Sequence, residues 1–272
     1  MKKYIYIGTA VIFGILASCA TNPFTGKKTL ALVPDSEILP SAFAQYSSFL
    51  KENKVVSGTS NSKLVESVGS KIKNAAERYL NANGYQGYLK DYRWEYKLVE
   101  SKEVNAWCMP GGKIVVYSGI LPITKTEGGL ATVLGHEVAH ALANHGQQRM
   151  SAGLLQQLGA VGTQVALGNQ NAETQAMAMQ AYGIGSEVAG MLPFSRSHET
   201  QADEIGLTLM AIAGYNPDES ISFWTRMAAN SGGGAPPEIL STHPADATRI
   251  NNLKRLIPKA KAEAAKFGVT YK

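Results

Sequence analysis

The chain has 272 residues, enough to bury a substantial core in one domain. Its 26 Lys and Arg against 21 Asp and Glu give a net charge of +5, two units of which come from Lys2 and Lys3. So mild an excess, with no basic stripe interleaved with aromatics, excludes a nucleic-acid partner, and two cysteines exclude a disulfide-framed scaffold.

At the N-terminus, Lys2 and Lys3 precede an apolar stretch from Tyr4 to Leu16, followed by Ala17-Ser18-Cys19. That pattern reads as a signal peptide over 1–18, too short to span a bilayer as a permanent helix. Leu16-Ala17-Ser18-Cys19 is also similar to a bacterial lipobox, which implies cleavage before Cys19 and lipidation of its sulfur. Ala20 in the next position resembles the pattern sorted to an outer membrane. A conventional cleavage nearby and an uncleaved anchor remain the alternatives. The polar, turn-rich stretch 19–34 is expected to be a tether, and a single domain is expected over 35–272, its first helix starting near Asp35.

Leu64, Val68, Ile72 and Ala76 recur with helical spacing, which predicts a helix from Ser62 to Leu80. Strands are expected over Arg93–Glu100 and over Lys113–Tyr117, the second β-branched and preceded by Pro110-Gly111-Gly112. Helices then dominate: Glu127–Ala143, most of 146–189, Ser195–Ala213, Pro217–Asn230 and Pro244–Pro258. Residues 146–194 are rich in Ala, Gly, Gln and Met. They read either as two helices packed through small residues or as a mobile lid that contacts membrane or unfolded protein. The run Ser231–Pro237 is a glycine- and proline-rich loop, either a hinge for the His243 segment or a neutral linker. No internal repeat is visible.

Chemistry concentrates in His136-Glu137-Val138-Ala139-His140. Histidines at i and i+4 put both imidazoles on one helix face, where they can share a Zn²⁺. Glu137 beside them can accept a proton from a water activated at the metal, the chemistry of peptide hydrolysis. A tetrahedral site needs a third protein ligand and one open position. His145 falls one residue short of the long metzincin spacing, where Gly146 stands. Glu199, opening an apolar-periodic helix, is the better candidate, its alternative being a first-turn acid favoured by the helix dipole. Asp203, one turn on, is either a partner for the distal N–H of a ligating histidine or a solvated acid. Cys108, in an apolar strand context, is expected to be a buried, inert thiol.

The order HExxH, then Glu199-xxx-Asp203 on a later helix, resembles the HtpX/CAAX-protease-like zinc metallopeptidases, peptidase family forty-eight. Asn105-Ala106-Trp107-Cys108-Met109-Pro110-Gly111-Gly112 is similar to that family's N-A-x-x-x-P-G-G stretch, and Thr242-His243-Pro244 with Arg249 is similar to its H-P…R element. Within the family the chain looks most like bacterial lipoprotein members of the BepA and LoiP kind, without a tetratricopeptide tail.

The resemblance implies a mainly helical α+β fold, a zincin-type (gluzincin) domain whose small sheet has an edge strand flanking the zinc cleft. That strand, taken as the one at Lys113–Tyr117, would pair with extended substrate, helped by the backbone at Asn105 and Ala106. It implies one Zn²⁺ per chain on His136, His140 and Glu199, with Glu137 catalytic. His243, expected at or next to the N-cap of a helix opening at Pro244, would face the metal. There it would either stabilise the tetrahedral intermediate or fill the fourth position at rest. Arg249 would support that loop or the developing charge. The expected function is an endopeptidase for misfolded or stalled envelope proteins, lipid-anchored on the periplasmic face of the outer membrane. Two alternatives stand beside it: a zinc-containing chaperone or assembly adaptor plugged by His243, and a zinc hydrolase of small molecules or peptidoglycan.

Overall fold

The computed structural model describes residues 19–230, 237–244 and 247–271. The predicted signal peptide and most of the loop at 231–237 lie outside them. The chain forms two compact units, one of the described residues up to Ile38 with Asn144–His198, the other of Leu39–Ala143 with the described residues from Glu199 onward.

In the first unit the expected tether holds two short strands, β1 (Cys19–Thr21) and β2 (Lys28–Leu30), paired antiparallel with Cys19 opposite Leu30. The turn between them closes because the Asn22 carboxamide oxygen accepts from the Phe24 N–H at 2.9 Å and Gly26 takes φ +66°. Helix α1 (Asp35–Glu52) comes next and continues into the second unit.

The rest of the first unit is helical: α5 (His145–Ala166), α6 (Ala172–Ser186), a single π-turn over Glu187–Met191, and the start of α7 (Leu192–Ile212). Helices α5 and α6 pack together, with Gly159 facing the Tyr182 ring and the Tyr182 hydroxyl donating to the Gln156 carbonyl at 2.7 Å. This is the packed helix pair that the composition allowed. His145 is no ligand; it stacks on His198 with ring centroids 4.0 Å apart.

The second unit is built on a four-stranded mixed sheet in the order β3-β4-β6-β5. Its strands are β3 (Val55–Val56), β4 (Glu95–Val99), β5 (Ala106–Met109) and β6 (Lys113–Tyr117). β4 and β6 run parallel, and the other pairs are antiparallel. The edge strand near the site is therefore β5. The β-branched segment Lys113–Tyr117 has neighbours on both sides, which explains its buried Ile114, Val115 and Val116. Helix α2 (Ser60–Ala82) is started by the Thr59 hydroxyl, which accepts from the Ser62 N–H at 3.1 Å, and it buries Val65, Val68 and Ile72.

After the short α3 (Leu121–Thr124), Thr126 caps α4 (Glu127–Leu142) in the same way. Every α4 residue from Gly128 to Leu142 is buried, so α4 is the central helix of this unit. Three further helices complete it: α8 (Glu219–Ala229), the short α9 (Glu238–Thr242) and α10 (Ala247–Ala265).

Candidate metal centre

Four side chains from three elements converge on one point in the second unit. Helix α4 supplies His136 and His140, whose Nε2 atoms lie 3.1 Å apart, as one helical turn allows. Helix α7 supplies Glu199, with Oε2 3.2 Å from His136 Nε2 and Oε1 3.2 Å from His140 Nε2. The residue closing α9 supplies His243, whose Nδ1 stands 2.8 Å from Glu199 Oε2 and 3.1 Å from His136 Nε2. One donor atom from each of these four side chains lies within 4.8 Å of all the others.

This donor set fits Zn²⁺. Ligand atoms about 2.0–2.2 Å from a tetrahedral ion stand roughly 3.3 Å from one another, close to the separations among His136, His140 and Glu199. The chemistry also fits, with two imidazoles and one carboxylate, all largely withdrawn from water. Glu137 gives a second test. Its Oε1 is buried without a hydrogen-bond partner, His243 Nε2 being 3.5 Å away. A carboxylate oxygen left in that state is one that a water or substrate proton completes.

Asp203, one turn after Glu199, accepts from His136 Nδ1 at 3.0 Å. That bond fixes the tautomer that leaves the Nε2 lone pair for a metal. Arg249, from α10, grips the same carboxylate twice, Nε to Oδ2 at 3.0 Å and Nη2 to Oδ1 at 2.6 Å. Its Nη1 donates to the Pro244 carbonyl at 3.2 Å, and its guanidinium lies 3.5 Å above the Trp224 ring. Nη2 is also 3.1 Å from His136 Nδ1, but two donors cannot bond each other, so the Nδ1–H belongs to Asp203. Arg249 therefore ties the His243 loop to the support of His136.

The electrostatics derive from these contacts. Burial and the Arg249 charge both push the His136 pKa down, but hydrogen bonds to Asp203 and Glu199 outweigh them and raise it to about 9. His140, dominated by burial, falls to about 3. Burial raises Glu199, yet bonds to His136, His140 and His243 hold it far below the carboxylate range. Burial likewise opposes ionisation of Asp203, and Arg249 with His136 reverses the effect. Cys108, expected to be buried, is half-buried in β5, and its thiol is pushed well up by desolvation and then by the Glu137 charge.

The structure thus brings together His136, Glu137, His140, Glu199, Asp203, His243 and Arg249. His243 is the C-cap of α9, Pro244 after it is not helical and its carbonyl is held by Arg249, and residues 245–246, where the expected helix would begin, lie outside the described residues. Ala106 opens the edge strand and Asn105 precedes it; the Asn105 carbonyl is already bonded to the Tyr117 N–H at 3.1 Å. The alternation of an antiparallel ladder then turns the Ala106 and Cys108 backbone toward the outer side of β5. Trp224 is not legible as a site residue in the sequence, since Phe223-Trp224 in an amphipathic helix looks like ordinary core. Cys19 stands at the first residue of β1.

Residues 68–257, which contain the whole site, match Peptidase family M48. The chain is similar to Mitochondrial metalloendopeptidase OMA1 of Saccharomyces cerevisiae, 38% identical over 204 residues, or 72% of this chain and 56% of that protein. It is similar to Metalloendopeptidase OMA1, mitochondrial, of Homo sapiens, 29% identical over 248 residues, 88% of this chain and 46% of that one. The Beta-barrel assembly-enhancing protease of Escherichia coli is 28% identical over 164 residues, 58% of this chain and 33% of that protein. The chain spans about half the length of the mitochondrial relatives or less.

These relatives overturn the expected location. Mitochondrial proteins match at up to 38% identity and the bacterial ones at 28%, so placement at a bacterial outer membrane is withdrawn. The physical reason is plain: two lysines, a short apolar stretch and a cysteine carry no feature that is specific to one membrane.

Proposed function

Because the chain belongs to Peptidase family M48, we propose that it is a zinc-dependent metalloendopeptidase acting on extended segments of unfolded protein. The observation that carries this reading is the triangle of His136 Nε2, His140 Nε2 and the Glu199 carboxylate beside the unpartnered, buried Glu137 Oε1. These three side chains would hold the Zn²⁺. Bound there, the ion supplies Lewis acidity for the scissile carbonyl and for water.

The rest is done by the chain. The outer side of β5 offers the Ala106 carbonyl and the Cys108 backbone to an extended peptide, the Ala106 N–H being taken by Asn105 Oδ1 at 2.9 Å, and such an attachment tolerates many sequences. Glu137 takes the proton from the attacking water and passes it to the leaving amine nitrogen. His243 Nε2 lies on the Glu137 side, where an N–H can donate to the oxyanion. Arg249 and Asp203 hold His136 in position. Misfolded or stalled proteins are the proposed substrates, a reading supported only by analogy with relatives whose name is Beta-barrel assembly-enhancing protease. Attachment to a membrane through a lipid on Cys19 belongs to the same proposal, with no compartment attached to it.

A second reading has its own observation. His243 Nδ1 stands among the ligand atoms at 2.8 and 3.1 Å, so His243 is placed to fill the fourth position and hold the site latent or make it an adaptor. The test is cleavage of an unfolded protein by the zinc-loaded full chain beside Glu137→Gln. Retained zinc with a rate lowered on the order of 10²-fold or more supports the peptidase. Zinc without cleavage by the wild type favours the latent site. Cleavage by Glu137→Gln at the wild-type rate overturns the assignment.

A further inference from the structure

Among the described residues, the large hydrophobic side chains that remain exposed all fall between Met150 and Leu192, in the first unit. On α5 they are Met150, Leu154, Leu158, Val161 and Val165, successive steps of four, four, three and four residues. At 100° per residue they occupy one stripe about 80° wide. The returning arm repeats the arrangement with Met177, Ile184 and Val188. The packing between the arms uses other residues, Gln156, Gly159, Tyr182 and Ser186, so the stripes are left over once the hairpin is formed. Val165 is 75% exposed and Leu158 64%, more apolar exposure on one hairpin than a surface carries without a partner.

We propose that this hairpin lies on a lipid bilayer with its apolar stripes in the acyl boundary. Two observations select lipid as the occupant. From 150 to 192 the chain carries only two charged residues, Glu173 and Glu187, so the surface offers apolar depth and little charge complementarity for a protein partner. β1, which follows the apolar stretch Tyr4–Leu16 in the sequence, also belongs to this unit. β1 pairs with β2, and beyond β2 the Leu32 N–H donates to Ser151 Oγ at 3.0 Å, next to Met150. A membrane attachment at Cys19 or before it would therefore be tied, through β1 and β2, to the start of α5. No described helix is long and apolar enough to cross a membrane, so the hairpin rests in the interface. With so few charges, neutral lipid suffices. The inference depends on residues 4–16 being membrane-directed and is independent of the catalytic reading.

The full chain, reconstituted in phosphatidylcholine vesicles with a trace of diazirine-acyl phosphatidylcholine, is irradiated and its adducts are mapped by mass spectrometry. Adducts are expected on 150–165 and 177–192. They should fall about tenfold in a variant carrying Leu158→Asn, Val165→Asn, Ile184→Asn and Val188→Asn, while N-terminal labelling persists. All four positions are more than half exposed, so the variant tests the surface and not folding. Wild-type adducts confined to residues before 35 would overturn the proposal. So would a dimer in detergent that the variant dissolves while the hairpin takes no lipid label, which would make the occupant a second copy of the chain.

Discussion

Arg249→Met tests the claim that the site is held from behind by one guanidinium. The side chain is 7% exposed and makes two charge-assisted bonds to Asp203, itself 6% exposed, while stacking on Trp224. Each such bond contributes about 1.5–3 kcal/mol, and removing one partner of a buried pair costs about 3–5 kcal/mol because the other charge stays desolvated. We expect a loss in that range. Asp203→Asn in the same chain removes the stranded charge and should recover at least about 2 kcal/mol of it. Urea unfolding in the presence of a chelator separates this from zinc linkage. Trp94, Trp107 and Trp224 all belong to the second unit, so tryptophan fluorescence reports on that unit. A loss below about 1 kcal/mol, or additive single and double variants, would refute the clamp.

Zinc binding should release close to one proton per ion at pH 7. Without metal, His136 keeps its proton up to about pH 9, whereas His140, held near 3, is already neutral. Affinity should then drop about tenfold per pH unit as pH falls below 9, and calorimetry in buffers of different ionisation enthalpy counts the protons. Release of none or of two would contradict the assigned pairing. The linked effect on the metal-free fold has a fixed sign. The raised His136 pKa contributes stability in full below its ordinary 6.5, and that contribution is lost as pH rises through about 9. Glu199→Ala should lower zinc content as much as His140→Ala does, measured by atomic absorption, and unchanged content would remove Glu199 from the ligand set.

The local parts of this architecture are legible in the sequence because they are periodic. The stripe through α2, the β-branched run of β6 and the HExxH helix declare themselves within a few turns. The less legible parts depend on neighbours far along the chain. A β-branched strand looks the same at an edge or in the middle of a sheet, so the sequence suggests Lys113–Tyr117 as the edge, and only the strand order reveals β5 beyond it. Pro244 suits a helix start, but nothing in the local sequence shows that His243 caps α9 or that Arg249 reaches back to the Pro244 carbonyl. Asp203, Trp224 and Arg249 come from three helices, and no spacing rule announces that they form one stack.

The ligand triangle also depends on two residues that carry no chemistry. Gly135 on α4 and Gly206 on α7 let the two helix backbones meet. A Cβ added at Gly206 would stand 2.8 Å from the His136 backbone nitrogen and 2.9 Å from the Gly135 carbonyl carbon. Backbone cannot swing aside as a side chain can, so Gly206→Ala must push α7 away from α4. His136 sits at the point of collision and Glu199 is on the displaced helix, two turns earlier, so the 3.2 Å separation between their ligand atoms has to widen. Overpacking of this kind costs about 1–3 kcal/mol. The sharper expectation is zinc affinity, since a ligand displaced by an ångström no longer closes a tetrahedron, and a fall of about tenfold or more is expected. Gly183→Ala is the control: it also lies inside a helix, with nothing within 4 Å of the added carbon. It should leave zinc binding unchanged and, if anything, stabilise its helix by about 0.5–1 kcal/mol. Wild-type zinc affinity in Gly206→Ala would mean that contact between the two helices does not set the spacing of the metal ligands.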